Sequence, residues 1–225
     1  KLDFRIVKKE SDRDAKYDLF QRLNSGTELS PQEARNCLLV MINSSFFEWN
    51  VQISKDPGFE ESVSISDRKE DEGFRQELAL RFFMQAEFSG TETELPKELG
   101  EYITSCVRGV AEDPTYDLEE RSSLFKRVFA IIGDAAGDNA FRRWDATKGR
   151  FLGAFSISAF ETITTGVAND IDAWENAPDA SSLLVDYIKS MWDSERFRSN
   201  SGTGMSPRRR LPRLIHAGRS HFKVS

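Results

Sequence analysis

No run of apolar residues in this chain approaches the eighteen or so that a membrane-spanning helix requires, and the opening stretch KLDFRIVKK lacks the apolar core of a signal peptide. Membrane and secreted readings fall away, and the expected location is cytoplasmic. Cysteine is scarce: Cys37 and Cys106 are the two in 225 residues. Both sit in helical apolar patterns, which fits buried thiols in a reducing compartment and excludes a disulfide framework. Histidine is equally rare, and His216 and His221 stand five apart with no cysteine or clustered carboxylates beside them, so neither a zinc site nor an HNH nuclease centre is written here. No metal ligand is assigned. There is no phosphate-cradling loop either, because Gly202-Thr203-Gly204 has no preceding strand and no lysine, and no serine sits in a nucleophile elbow.

What remains is a chain that is 39% hydrophobic and 30% charged, enough to bury a core. Its charge is uneven. The total is −6, yet residues 205–225 hold six cations and no acid, which leaves −12 on the rest. An acidic body with a basic tail makes Arg208, Arg209, Arg210 and Arg213 candidates for nucleic-acid backbone contact. The plainer reading, that a basic helix docks on the acidic body, carries equal weight.

Acids at metal-like spacings occur at Asp14-Ala15-Lys16 and Asp67-Arg68-Lys69, with Asp3 ahead of them. Asp170, Asp172 and Glu175 gather beside Trp174. In a chain this rich in charge such groupings arise by chance, and solvated helix ends attract acids.

Apolar and polar residues alternate only once, over Leu2–Val7, so one N-terminal strand is expected and the rest reads as helix. Ser11 to Asn24 forms one helix, ended by Asn24-Ser25-Gly26. Ser30, Pro31 and Glu33 carry the signals of a capped start before Ala34, Cys37, Leu38, Met41 and Ile42. A polar connection from Ser54 to Gly73 leads to Phe74, Leu78, Phe82 and Ala86 at steps of four. Pro96 opens a helix through Leu99 and Ile103. Asp117 with Glu120, and Ser158 with Glu161, read as capping pairs for two more. Leu184, Tyr187, Ile188 and Met191 make another stripe, and Ser206-Pro207 opens the last helix, which Pro212 must kink or restart. The fold class is therefore mainly α, a bundle of about seven or eight helices.

One segment concentrates chemistry: residues 20–36, FQRLNSGTELSPQEARN. Arg22 offers a planar fork for phosphate and Asn24 both donates and accepts, just before a turn and the open N–H groups of a helix start. An anion or nucleotide pocket is one reading. The other is that Arg22 pairs with Asp18 or Glu33 and Asn24 ends a helix.

As a string, Phe20, Arg22, Asn24, Gly26, Leu29, Ser30, Glu33, Arg35 and Asn36 resemble the second signature of the GmrSD-type restriction endonuclease N-terminal domain family, which has a ParB/sulfiredoxin-like nucleotidase fold. The turn differs in having Gly26-Thr27 and one residue fewer than the family's Gly-Gly pair. The family's other signature, an Asp-Gly-Gln-Gln-Arg-like motif, precedes this one and has no counterpart between Lys1 and Ser225. The resemblance implies that residues 1–53 are the C-terminal end of a truncated ParB-like α+β domain, one strand of it included, and that residues 54–225 are a helical domain with a basic tail. It further implies a fragment of a cytoplasmic DNA restriction or phage-defence protein. The complete form would couple hydrolysis of an NTP, with a divalent metal, to DNA recognition or cleavage, with a nuclease domain or subunit as partner. Phe20, Arg22 and Asn24 would bind nucleotide or support its site, while the catalytic residues would lie upstream and leave this chain inactive alone. The alternative is a non-enzymatic helical DNA- or protein-binding module that uses the basic tail.

Overall fold

The computed structural model describes residues 31–90, 95, 99–202 and 205–224. The strand expected over Leu2–Val7 and the segment Phe20, Arg22 and Asn24 lie outside them. Among the described residues twelve helices and one hairpin follow in order: α1 (Pro31–Ile42), α2 (Ser44–Ile53), α3 (Pro57–Ser62), α4 (Asp67–Asp71), α5 (Phe74–Ala86), α6 (Leu99–Glu112), α7 (Leu118–Ala136), β1 (Arg143–Asp145), β2 (Arg150–Leu152), α8 (Ile157–Asn169), α9 (Ile171–Asn176), α10 (Ala180–Asp193), α11 (Glu195–Ser201) and α12 (Pro207–His221). The protein is mainly helical, as its periodicity requires. None of these helices is long and apolar enough to cross a membrane.

The longer helices fall where the periodicity puts them, and Asp117 caps α7 by accepting from the N–H groups of Glu119 and Glu120 at 3.0 and 2.9 Å. The expected count of seven or eight helices is exceeded, because α2, α9, α11 and the short α3 and α4 add to those the periodicity marks, and three further expectations need correction. The connection Ser54–Gly73 is not a plain loop but holds α3 and α4, whose six and five residues are too few to display a period. Strands do occur after Val7, as the antiparallel pair β1 and β2 with Trp144 opposite Phe151; three residues each are too short for alternation to register. The cap of α8 is Ser156, whose hydroxyl accepts from the Ala159 N–H at 3.2 Å, so Ser158 and Glu161 are not a capping pair. They lie instead on a helix whose residues 158–167 are all buried.

That burial makes α8 the central element. A helix enclosed on every side must satisfy its own polar groups, and Thr162, Thr164 and Thr165 do so by donating to the carbonyls of Ser158, Phe160 and Glu161 at 2.9, 2.7 and 2.6 Å. Around α8 lies a phenylalanine-rich core of α3, α5, α7, α9, α10 and α11, in which Phe59, Phe82, Phe125 and Phe129 meet edge to face or tilted at 4.4–5.4 Å. A second core joins Leu38, Leu39, Ile42 and Phe46 of α1 and α2 to Ile103 and Val107 of α6. The expected boundary at residue 53 thus falls at the end of a helix, α2, whose Phe46 belongs to this second core and whose Ile53 belongs to the first.

Helix α12 spans both cores. Leu211 and Ile215 enter the second, while Leu214, together with Phe222 just past the helix, enters the first. It crosses α8 at Gly218 and Gly166, where the backbones touch. A Cβ at Gly166 would lie 2.6 Å from the Gly218 carbonyl, and one at Gly218 would fall inside the contact radius of the Thr162 carbonyl. Pro212 is accommodated within α12 near its start, where the missing N–H forfeits a single bond. Gly218→Ala is accordingly expected to destabilise the protein by about 2–3 kcal/mol through overpacking against rigid backbone. Gly109→Ala, in α6 with open space at its Cβ position, should be neutral or stabilising by up to about 1 kcal/mol. Thermal unfolding followed by circular dichroism checks both, and equal midpoints for the two variants would contradict the close crossing.

Candidate functional site

Of the signature-like segment, Arg35 and Asn36 on α1 are described. Arg35 does not face solvent. Its Nε and one terminal nitrogen donate to the two oxygens of Glu77 on α5 at 3.0 and 2.6 Å, and its other terminal nitrogen reaches the Gly100 carbonyl at 3.3 Å. Both side chains are at least 96% buried. A bidentate arginine–carboxylate pair is the geometry that can offset such desolvation.

The pair begins a longer chain of alternating charge. Glu77 and Arg81 are one turn apart on α5 and bond at 3.0 Å; Arg81 lies 3.8 Å from Glu161 on α8, and Arg210 of α12 donates to Glu161 at 3.3 Å. Arg35, Glu77, Arg81, Glu161 and Arg210 thereby tie four helices together. Glu161 is fully enclosed and its second oxygen accepts no hydrogen bond. Burial pushes its carboxyl above the ordinary range, against the pull of Arg210 and Arg81.

The four arginines proposed from the basic tail are therefore not equivalent. Arg210 turns inward to Glu161, whereas Arg209 and Arg213 lie one turn apart on the exposed side of α12 and Arg208 is half-buried. Further along, Arg219 donates to the carbonyls of Ala86 and Gln85 at 2.9 and 3.4 Å, satisfying the open C-terminal end of α5. The tail is a packed helix, not a solvated extension. The docking reading and an outward arginine face both describe parts of it.

A pocket of about 450 Å³ opens between α5 and α6, walled by Leu80, Phe83, Phe88, Tyr102 and Val107. Its polar edge is Glu87, which accepts from Tyr116 Oη at 3.2 Å and forms an ion pair with Arg121 at 2.8 Å. Burial, reinforced by Glu87, holds the Tyr116 phenol well above its usual range, so it stays protonated. Burial likewise raises the thiols of Cys106, beside this pocket, and of Cys37. Both cysteines are unbridged, and neither is an activated nucleophile.

Ser190 Oγ lies 3.2 Å from His221 Nε2, a separation that suits a nucleophile and its base. The same nitrogen, however, is 2.8 Å from the Tyr187 carbonyl, to which Ser190 Oγ also donates at 3.0 Å. A carbonyl only accepts, so Nε2 carries the proton and cannot take one from serine. With Trp174 Nε1 donating to the Phe222 carbonyl at 2.9 Å, this cluster fastens the end of the chain. Asp172 and Glu175 bind Arg127 at the surface, and Asp67–Lys69 lie on α4. No group of three or more His, Cys, Asp or Glu residues able to hold a metal occurs among the described residues.

Comparison with protein-family models, with curated proteins and with solved structures finds no match.

Two expectations follow from the buried charges. Arg35→Ala leaves Glu77 enclosed with Arg81 as its remaining partner, and should destabilise the fold by about 3 kcal/mol in denaturant unfolding. Glu161→Gln tests the raised carboxyl. Because its folded value exceeds the unfolded one, its contribution is present at low pH and is lost as pH rises through the folded value. The wild type should therefore lose stability relative to Glu161→Gln as pH rises above the ordinary glutamate value of about 4, measured by urea unfolding at each pH. A gain over that range would mean that the two arginines outweigh burial.

Proposed function

We propose that the chain is part of a DNA restriction or phage-defence protein of the GmrSD type, in which a ParB-like segment is mounted on a helical body and nucleotide hydrolysis serves DNA recognition or cleavage. The observation that supports this reading is the mounting itself. Arg35, near the end of the signature-like segment, is the most deeply buried cation of an ion pair among the described residues, and through Glu77, Arg81 and Glu161 it is tied to Arg210 on the basic helix. The described end of the segment is thus fixed, through Arg35, to the body that carries Arg209 and Arg213.

Arg35 is committed to Glu77, and no group of three or more His, Cys, Asp or Glu residues able to hold a metal occurs among the described residues. Nucleotide contact would rest on Phe20, Arg22 and Asn24 together with residues of the complete protein, and no chemical step is assigned to this chain.

A second reading is favoured by the outward face of α12: a non-enzymatic helical module that binds DNA through Arg208, Arg209 and Arg213. The two separate in one experiment on the full gene product. Under the first, Arg22→Ala should lower NTP hydrolysis by at least about 100-fold, more than 2.7 kcal/mol of transition-state stabilisation, with the unfolding midpoint unchanged. Under the second, no NTP is turned over and DNA binding survives Arg22→Ala but falls when Arg209 and Arg213 are neutralised. Full hydrolysis in the Arg22→Ala protein would remove Arg22 from the site.

A further inference from the structure

Among the described residues the hairpin β1–β2 interrupts an otherwise helical arrangement, and it is built to hold cations outward. Its turn is locked by Asp145, whose carboxylate accepts from the N–H and hydroxyl of Thr147 at 3.0 and 2.6 Å and from the N–H of Lys148 at 3.1 Å. Gly149 supplies the left-handed residue the turn needs, at φ 61°. One face is anchored: Trp144 and Phe151 pair across the strands at 5.0 Å, and Lys189 of α10 lies 5.2 Å over the Trp144 ring. A two-stranded ribbon is marginal alone, so this bracing is what keeps it in shape.

The pleat sends Arg143 and Arg150 to the face opposite Trp144 and Phe151. They are diagonal neighbours, about 7–8 Å apart at Cβ, near enough for two guanidinium groups to take successive phosphates of one strand. Arg143, Lys148 and Arg150 are all exposed, and neither arginine has an ion-pair partner among the described residues. Of the acids around them, Asp138 pairs with Arg142 at 2.9 Å and Asp186 with Lys189 at 3.2 Å, while Asp145, cross-strand from Arg150, holds the turn through Oδ1. The hairpin packs on α10, α10 on α11, which bears exposed Arg196 and Arg198, and α11 on α12. Packed neighbours therefore lead from the hairpin to the helix that carries Arg209 and Arg213.

We propose that the hairpin Arg143–Leu152 is a DNA-contacting element, with Arg143, Lys148 and Arg150 bound to backbone phosphates. Cations on both strands and on the turn of one braced ribbon match a continuous, regularly charged polymer better than a short acidic peptide. The overall negative charge does not oppose this, because screening over about 8 Å at physiological salt makes the local patch decisive. This inference rests on the DNA reading above and adds a second contact to it.

The test is a salt series of binding to a fluorescein-labelled duplex by anisotropy, using the whole chain. The variants are Arg143→Gln/Lys148→Gln/Arg150→Gln, Arg209→Gln/Arg213→Gln, and the charge-matched control Lys55→Gln/Arg68→Gln/Lys126→Gln. Loss of three phosphate contacts should flatten the log–log salt slope by about 2.7. Between about 50 and 200 mM salt the wild type should then lose roughly 40-fold more affinity than the hairpin variant. The control should follow the wild type, and all proteins should share one unfolding midpoint because the substituted groups are exposed. If the hairpin variant matches the wild type, or the control loses as much, the inference is overturned while duplex binding, and with it the DNA reading, stands. If the wild type fails to bind duplex at low salt, the DNA reading falls as well. Hairpin-dependent binding to a labelled polyglutamate peptide in its place would assign the ribbon to an acidic protein partner.

Discussion

The approach of α12 to α8 at Gly218 and Gly166 is the constraint on which the rest of the molecule depends. Side chains at either position would hold the helices apart, and every longer contact made by α12 assumes that they are not. Leu211 and Ile215 reach one core and Leu214 the other because the helix lies down on α8 rather than beside it. The same seating aims Arg210 at Glu161 and Arg219 at the last carbonyls of α5. Two cores of different composition thus become one structure through a helix that belongs to both.

The buried charges are a consequence of that geometry. Taking Glu77 and Glu161 out of water would be prohibitive for either alone, since an isolated buried carboxylate costs several kcal/mol even after relaxation. Sharing three arginines between two carboxylates lowers that penalty and adds direction, because each guanidinium comes from a different helix. The compensation is incomplete at Glu161, where an oxygen has no donor. Such networks specify an arrangement more than they stabilise it; a register shift of α12 by one residue would carry Arg210 away from its partner while leaving Glu161 enclosed.

Most of the helical architecture was legible because amphipathic periods survive in α5, α6, α7 and α10, where one face meets a core and the other water. Legibility failed where that contrast vanishes. Helix α8 is buried all round, so no polar face marks its start, and Ser158 with Glu161 imitates a capping pair two positions past the true cap, Ser156. Helices α3 and α4 and the strands of the hairpin are shorter than the periods that reveal such elements. Of the candidate site, the chemistry of residues 20–36 was visible as a string, but the burial of Arg35 was not, because its partner Glu77 lies 42 residues away. The Arg-Arg-Trp-Asp and Lys-Gly-Arg-Phe stretches around the hairpin did offer a signal, basic residues interleaved with aromatics on either side of a turn. The total charge masks it, because the densest run of cations lies in the tail.

Charge totals mislead here for a physical reason. The tail's six cations divide according to the surface they meet: Arg210 and Arg219 answer internal acceptors, while Arg209 and Arg213 stay on the outer side. The hairpin repeats the division on a smaller scale, with Arg142 bound to Asp138 and Arg143 and Arg150 left facing out. In both places the cation nearest a buried or local acid is consumed by the fold, and its neighbours one or more positions along the chain are presented to solvent. An acidic protein can therefore display a concentrated basic surface. Acids that hold its helices and turns in place, Asp138 and Glu161 among them, engage Arg142 and Arg210, while Arg143 and Arg150 remain exposed on the same or neighbouring elements.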